Sequence, residues 1–108
     1  MKLITAHVRN DVLEDLVTAL AATGASGMTA TEVRMHSVTG ERLTYRGSNF
    51  PVATIRSKVE IVVDDEVVEE VVRVIMALDR TNDGIAFVLP VTESYRIRTG
   101  DWEGDFTR

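Results

Sequence analysis

The order of apolar periods along the chain constrains its fold more than any other feature. A strand-like run is followed by a helical run and a second strand, and the whole set then repeats. Leu3–Val8 reads as a strand, and "NDVLEDLVTALAATG" sets Val12, Leu13, Leu16, Val17 and Leu20 on one helical face. Asn10 or Asp11 suits the start of that helix and Gly24 its end. In "GMTATEVRM", Thr29, Thr31 and Val33 alternate against Ala30 and Glu32, which is strand patterning. "SKVEIVV" puts Val59, Ile61 and Val63 on one face and Lys58, Glu60 and Val62 on the other. Asp64 and Asp65 then offer caps, and Val67, Val68, Val71, Val72, Ile75 and Leu78 recur at the helical period. Here periodicity outweighs the poor helix propensity of valine. Phe87–Val91 closes the set, with Pro90 pointing to an edge strand.

Two such units make βαββαβ, a ferredoxin-like α+β arrangement in which a four-stranded antiparallel sheet carries two helices on one face. The second face stays uncovered and bears apolar residues. A closed homo-oligomer is therefore expected. At 108 residues the chain is read as one domain, and its net charge of −5 offers no general attraction to nucleic acid or anionic lipid. Any anion site must be local. The sequence has no cysteine, which excludes disulfides, thiolate catalysis and cysteine-ligated zinc. The first residues lack the apolar core of a signal peptide, and no run is long enough for a membrane span, so a cytoplasmic protein is expected.

Between the halves lies "HSVTGERLTYRGSNFPVATIR", polar and without sustained period. It reads either as a solvated hairpin extension or as a partner-binding loop, and Tyr45 and Arg46 favour the second because such residues anchor interfaces.

Catalytic patterns are scarce. His7 and His36 are the only histidines, no nucleophilic triad is visible, and Asp64-Asp65 and Glu69-Glu70 read as a helix cap and a solvated face. No enzyme activity is expected. Two segments instead suit anions. In "RTNDGIAFVLPV" the residues Asn82, Asp83 and Gly84 can converge their N–H groups into a nest, or simply make a turn. In "SYRIRTGDWEGDF", taken as extended, Arg96 and Arg98 point the same way and suit phosphate oxygens or the carboxylates of a neighbouring subunit.

In order and spacing, "TGASGMTATEV", "YRG", "VEIVV", "DGIAFV" and "RIRTG" resemble the PII signal-transduction family nearly end to end. The resemblance implies a homotrimer that binds adenine nucleotides as effectors in three inter-subunit clefts, with no catalytic cofactor. It implies a T-loop at about 36–56 that reports the bound state to a transporter, enzyme or regulator, and a C-terminal segment at 93–108. Carried over residue by residue, Thr29, Glu60 and Val62 fall at the base with His7 alongside. Ser37, at the start of the loop, and Arg80 are also assigned to the nucleotide, Asn82, Asp83 and Gly84 fall in the phosphate loop, and Arg96 and Arg98 at the phosphates. Tyr45, Arg46, Gly47 and Phe50 fall in the partner-binding part of the T-loop.

The departures from the family pattern are specific. Ile85 stands where a lysine usually follows Asp-Gly, the phosphate loop is about three residues short, and Arg80 is placed to supply charge instead. "MHSVTG" replaces the Gly-Phe-Gly-Arg-Gln pattern, so the glutamine expected to bind magnesium and 2-oxoglutarate has no match. Arg56 aligns with a lysine that helps hold the oxoacid, and Phe50 with the tyrosine that some members uridylylate. The expected role is that of a PII-like regulator of bicarbonate or ammonium transport or of a carboxysome-linked process. The alternative is a structural or metal-responsive trimer similar to the divalent-cation tolerance proteins, and a slow nucleotide hydrolase ranks last.

Overall fold

The computed structural model describes residues 1–36, 38, 42–45, 48–51, 53–80, 84–100 and 102–104, of which 42–45, 48–51 and 102–104 are described as backbone alone. Strand β1 spans Lys2–Val8, helix α1 Leu13–Leu20 and strand β2 Thr29–His36. Two short strands follow, β3 (Arg42–Tyr45) and β4 (Ser48–Pro51), before the long β5 (Ala53–Val63), helix α2 (Val68–Leu78) and β6 (Ala86–Pro90). A last pair, β7 (Ser94–Tyr95) and β8 (Trp102–Gly104), forms a separate small sheet.

The main sheet has the order β2-β5-β1-β6, and every pairing in it is antiparallel. This is the ferredoxin-like topology that the sequence predicts. Alternation decides which face the helices cover. Ile4, Ala6 and Val8 of β1 and Val59, Ile61 and Val63 of β5 are buried with Leu16 and Leu20 of α1 and Val71 and Ile75 of α2. Fully burying a side chain such as Ile61 contributes about 1.5–3 kcal/mol, so this cluster holds helices to sheet. On the opposite face Val62, Phe87 and Leu89 are exposed to 41%, 58% and 42%, which is the uncovered apolar face expected from the pattern. Pro90 does lie on an edge strand, since β6 pairs with β1 alone in the sheet.

Helix starts differ from expectation. Each is preceded by a 3₁₀ turn, Asn10–Val12 and Asp65–Val67, and neither turn has a side-chain capping bond. Asn10 instead accepts a hydrogen bond from Ser57 Oγ, tying the first turn to β5. Asp65 Oδ1 lies 3.0 Å from the Met1 amino group and 4.0 Å from Lys2 Nζ. The Met1 hydrogen bond holds the Asp65 carboxyl below its ordinary range. Nearby cations thus outcompete the helix N–H groups for this side chain. After α1 the chain turns through Thr23, whose hydroxyl donates to the Leu20 carbonyl at 2.7 Å, and leaves through Gly24 at φ +91°. Only glycine adopts that left-handed angle without steric cost.

The connection between the halves is more regular than its composition suggests. β2 and β5 stay paired as far as His36↔Ala53, so β5 starts four residues before the expected Ser57, and β3 pairs with β4 through Tyr45↔Ser48. Glu32, Arg34, His36, Ala53 and Ile55, which alternate toward the helix side, are exposed there. The ladder therefore outruns the helices. Consistent with a projecting arm, the radius of gyration is 17.0 Å and the long axis 58 Å, where a compact chain of this length would have a radius near ~13 Å.

Candidate functional site

The candidate site lies on the uncovered face, and register assembles it. Residues directly opposite in antiparallel strands share a face, so the pairings Thr29↔Glu60, Thr5↔Glu60 and Thr5↔Phe87 define one row across four strands. Next to it on one side run Val62, Leu3 and Leu89, and on the other Thr31, Lys58 and His7. His7, Thr29, Glu60 and Val62, which the sequence reading assigned together to one ligand, thus stand on one face of three adjacent strands. The mixture of apolar Val62, Leu3 and Phe87 with Thr29 and Glu60 suits a flat, amphipathic group with hydrogen-bonding edges.

His7 is half-buried and lines a small pocket with Gly84, Ile85 and Asp79. Gly84 is exposed just before β6, and Arg80 is exposed just beyond α2. Gly84 therefore lies beside His7. Asn82 and Asp83 lie outside the described residues, as do Ser37, Arg46 and Gly47. Tyr45 and Phe50 belong to the β3–β4 pair, described as backbone, with Leu43↔Phe50 in register.

Arg96 and Arg98 are both exposed, but the segment carrying them is a turn and not extended. The Gly100 N–H donates to the Arg96 carbonyl at 2.7 Å, and Gly100 takes φ +73°. Glycine makes this closure possible, so the alternation argument for the two arginines does not apply; they share one tight turn instead. Just before it, the Tyr95 hydroxyl donates to Glu93 at 3.1 Å, and the carboxylate raises the phenol pKa.

Three residues escaped the sequence reading. Arg9 Nε donates to Asp79 Oδ1 at 3.0 Å, joining the end of β1 to the end of α2, where Arg80 and the Gly84 turn begin. No local pattern announces a pair so distant in sequence. Lys58 was read only as the polar side of a strand, whereas register sets it between Thr31 and His7.

Among the described residues, no group of three or more His, Cys, Asp or Glu could hold a metal ion, and no helix is long and apolar enough to cross a membrane.

Comparison with known proteins gives the same outline. The family described as nitrogen regulatory protein P-II matches residues 1–101. "Nitrogen regulatory protein P-II 2" of Methanothermobacter thermautotrophicus is 42% identical over 106 residues, covering 94% of this chain and 92% of the relative. "Nitrogen regulatory protein P-II" of Nostoc punctiforme is also 42% identical, with 94% and 95% covered. The protein of that name from Cereibacter sphaeroides is 36% identical over the same share. With its sheet order, its two helices and this end-to-end match, the chain belongs to the nitrogen regulatory protein P-II family of signal-transduction proteins.

Proposed function

We propose that the protein is a non-enzymatic, cytoplasmic regulator that assembles as a homotrimer and binds adenine nucleotides in the clefts between subunits. The base rests against His7, Thr29, Glu60 and Val62. The phosphates are held by Ser37, Arg80, the turn of Asn82, Asp83 and Gly84, and the Arg96–Arg98 turn. The bound state is read by a partner through residues 36–56, with Tyr45, Arg46, Gly47 and Phe50 in contact. The observation that carries this reading is the row Thr29↔Glu60 with Val62 and His7 on the same open face. Burying that face between subunits removes Val62, Phe87 and Leu89 from water, a gain of roughly 25 cal/mol per Å² of apolar surface. The resemblance to the cation-tolerance proteins loses its support with the family assignment. The names of the relatives speak for nitrogen regulation, which favours a partner in ammonium transport over one in bicarbonate uptake or a carboxysome.

Calorimetry of the purified protein against AMP, ADP and ATP, with light scattering of the same sample, tests the proposal. A trimer that binds at least one of these nucleotides supports it. A micromolar monomer, or a trimer that binds none, overturns it.

A further inference from the structure

Ile85 puts no cation next to Gly84, which raises the question of what else on the sheet face joins the arginines in balancing a bound phosphate, and register supplies an answer. The β1–β6 pairing runs to Ala6↔Ala86, and beyond it Gly84 and Ile85 lie beside His7 at a pocket that opens toward Val8 and Ile75 on the helix side. Continuing across the sheet, His7 is opposite Lys58, which is opposite Thr31. Strands are spaced about 4.8 Å apart, so Lys58 stands roughly 10 Å across the face from the strand that Gly84 precedes. A nucleoside diphosphate lying on the face bridges that span.

The chain has two lysines, Lys2 and Lys58. Lys2 is 4.0 Å from Asp65, whereas among the described residues no hydrogen bond or ion pair engages the Lys58 ammonium. Lys58 is half-buried on the face, which lets its stem lie along the sheet while the ammonium reaches toward an anion. Arg56 shares the face one row further on, but its Nη1 donates to the Ile55 carbonyl at 3.0 Å. The ammonium of Lys58 is therefore the better-placed cation.

We infer that Lys58 is a phosphate-binding residue of the nucleotide site, supplying from the middle of the sheet the charge that Ile85 withholds from the turn. This rests on the proposed nucleotide reading and adds the residue that ranks phosphorylated ligands above the bare nucleoside. Losing one charge-assisted contact weakens binding about tenfold or more.

The test compares ADP and adenosine on wild type, Lys58→Gln and Lys58→Arg. Lys58→Gln is expected to weaken ADP about tenfold and leave adenosine unchanged, while Lys58→Arg stays within about threefold of wild type. Acetylation of wild type, read by mass spectrometry, gives a result that does not depend on the variants folding. ADP should slow modification of Lys58 but not of Lys2, and adenosine should slow neither. Equal ADP affinity in wild type and Lys58→Gln, or equal protection by adenosine and ADP, overturns the inference and leaves the nucleotide reading intact. Wild type that binds neither ADP nor adenosine overturns the inference, and the nucleotide reading falls with it only when AMP and ATP fail to bind as well.

Discussion

The Asp79 carboxylate, 3% exposed, accepts a hydrogen bond from Arg9 Nε at 3.0 Å, although the two residues are seventy positions apart. Arg9 also reaches Asp11 at 3.5 Å and is 39% exposed, so solvent screens part of the attraction. Arg9→Ala leaves the buried carboxylate without its guanidinium and should destabilise the protein by about 1–3 kcal/mol in urea unfolding. Asp79→Asn, which leaves no charge to bury, should cost less. The reverse order would mean that the aspartate acts mainly through its other contacts.

Alternation in β5 can be read out with two neighbouring substitutions. Ile61 is fully buried against both helices, and Ile61→Ala should cost about 2–5 kcal/mol by opening a cavity. Val62, 41% exposed on the open face, should lose less than about 1 kcal/mol as Val62→Ala, with any larger loss appearing in assembly. Thermal melts at two protein concentrations separate the two effects, because only the second depends on concentration.

What the sequence made legible follows from how local each signal is. The burial of Val59, Ile61 and Val63 and the edge position of Pro90 were readable, because a period of two or a missing N–H is written in consecutive residues. The assignment of Thr29 and Glu60 to one ligand came from the family resemblance, and register sets the two opposite each other on one face. The caps were misread, since Asp65 had a choice between helix N–H groups and the Met1 amine that only the tertiary structure resolves. The arginine turn was misread for a related reason: Gly100 at φ +73° closes it by a backbone bond that side-chain alternation does not announce.

That turn carries its own prediction. Arg96→Ala and Arg98→Ala should each weaken ADP binding by about 1.5–3 kcal/mol without changing the melting temperature, as expected for exposed cations that meet phosphate. Gly100→Ala should weaken binding too, because a side chain at positive φ strains the turn by about 1 kcal/mol. If all three variants melt early and still bind normally, the turn is structural.

Ligand choice should follow Ile85. With an apolar residue, 66% exposed, where the family resemblance places a lysine, the outermost phosphate of a bound nucleotide would gain little, so ATP and ADP should differ by less than about tenfold, or ~1.4 kcal/mol. Magnesium with 2-oxoglutarate should not rescue ATP. Ile85→Lys should shift the preference toward ATP, as measured by calorimetry on both proteins. Strong ATP preference in wild type, rising further with 2-oxoglutarate, would refute this.

From Thr29↔Glu60 to His36↔Ala53 the ladder between β2 and β5 is unbroken. Its outer rungs carry no helix, so the backbone bonds alone give it stiffness. The part beyond the buried Ser57, from Glu32↔Ser57 to His36↔Ala53, is four intervals at about 3.3 Å, an arm of roughly 13 Å, and a tilt of about 10° at its root carries its far end through about 2 Å. Thr29 and Glu60 lie just inside that root, next to the buried Val59. A rigid ladder of that length amplifies displacement, so a shift at its root too small to repack the core reaches His36 and Ala53 several times larger.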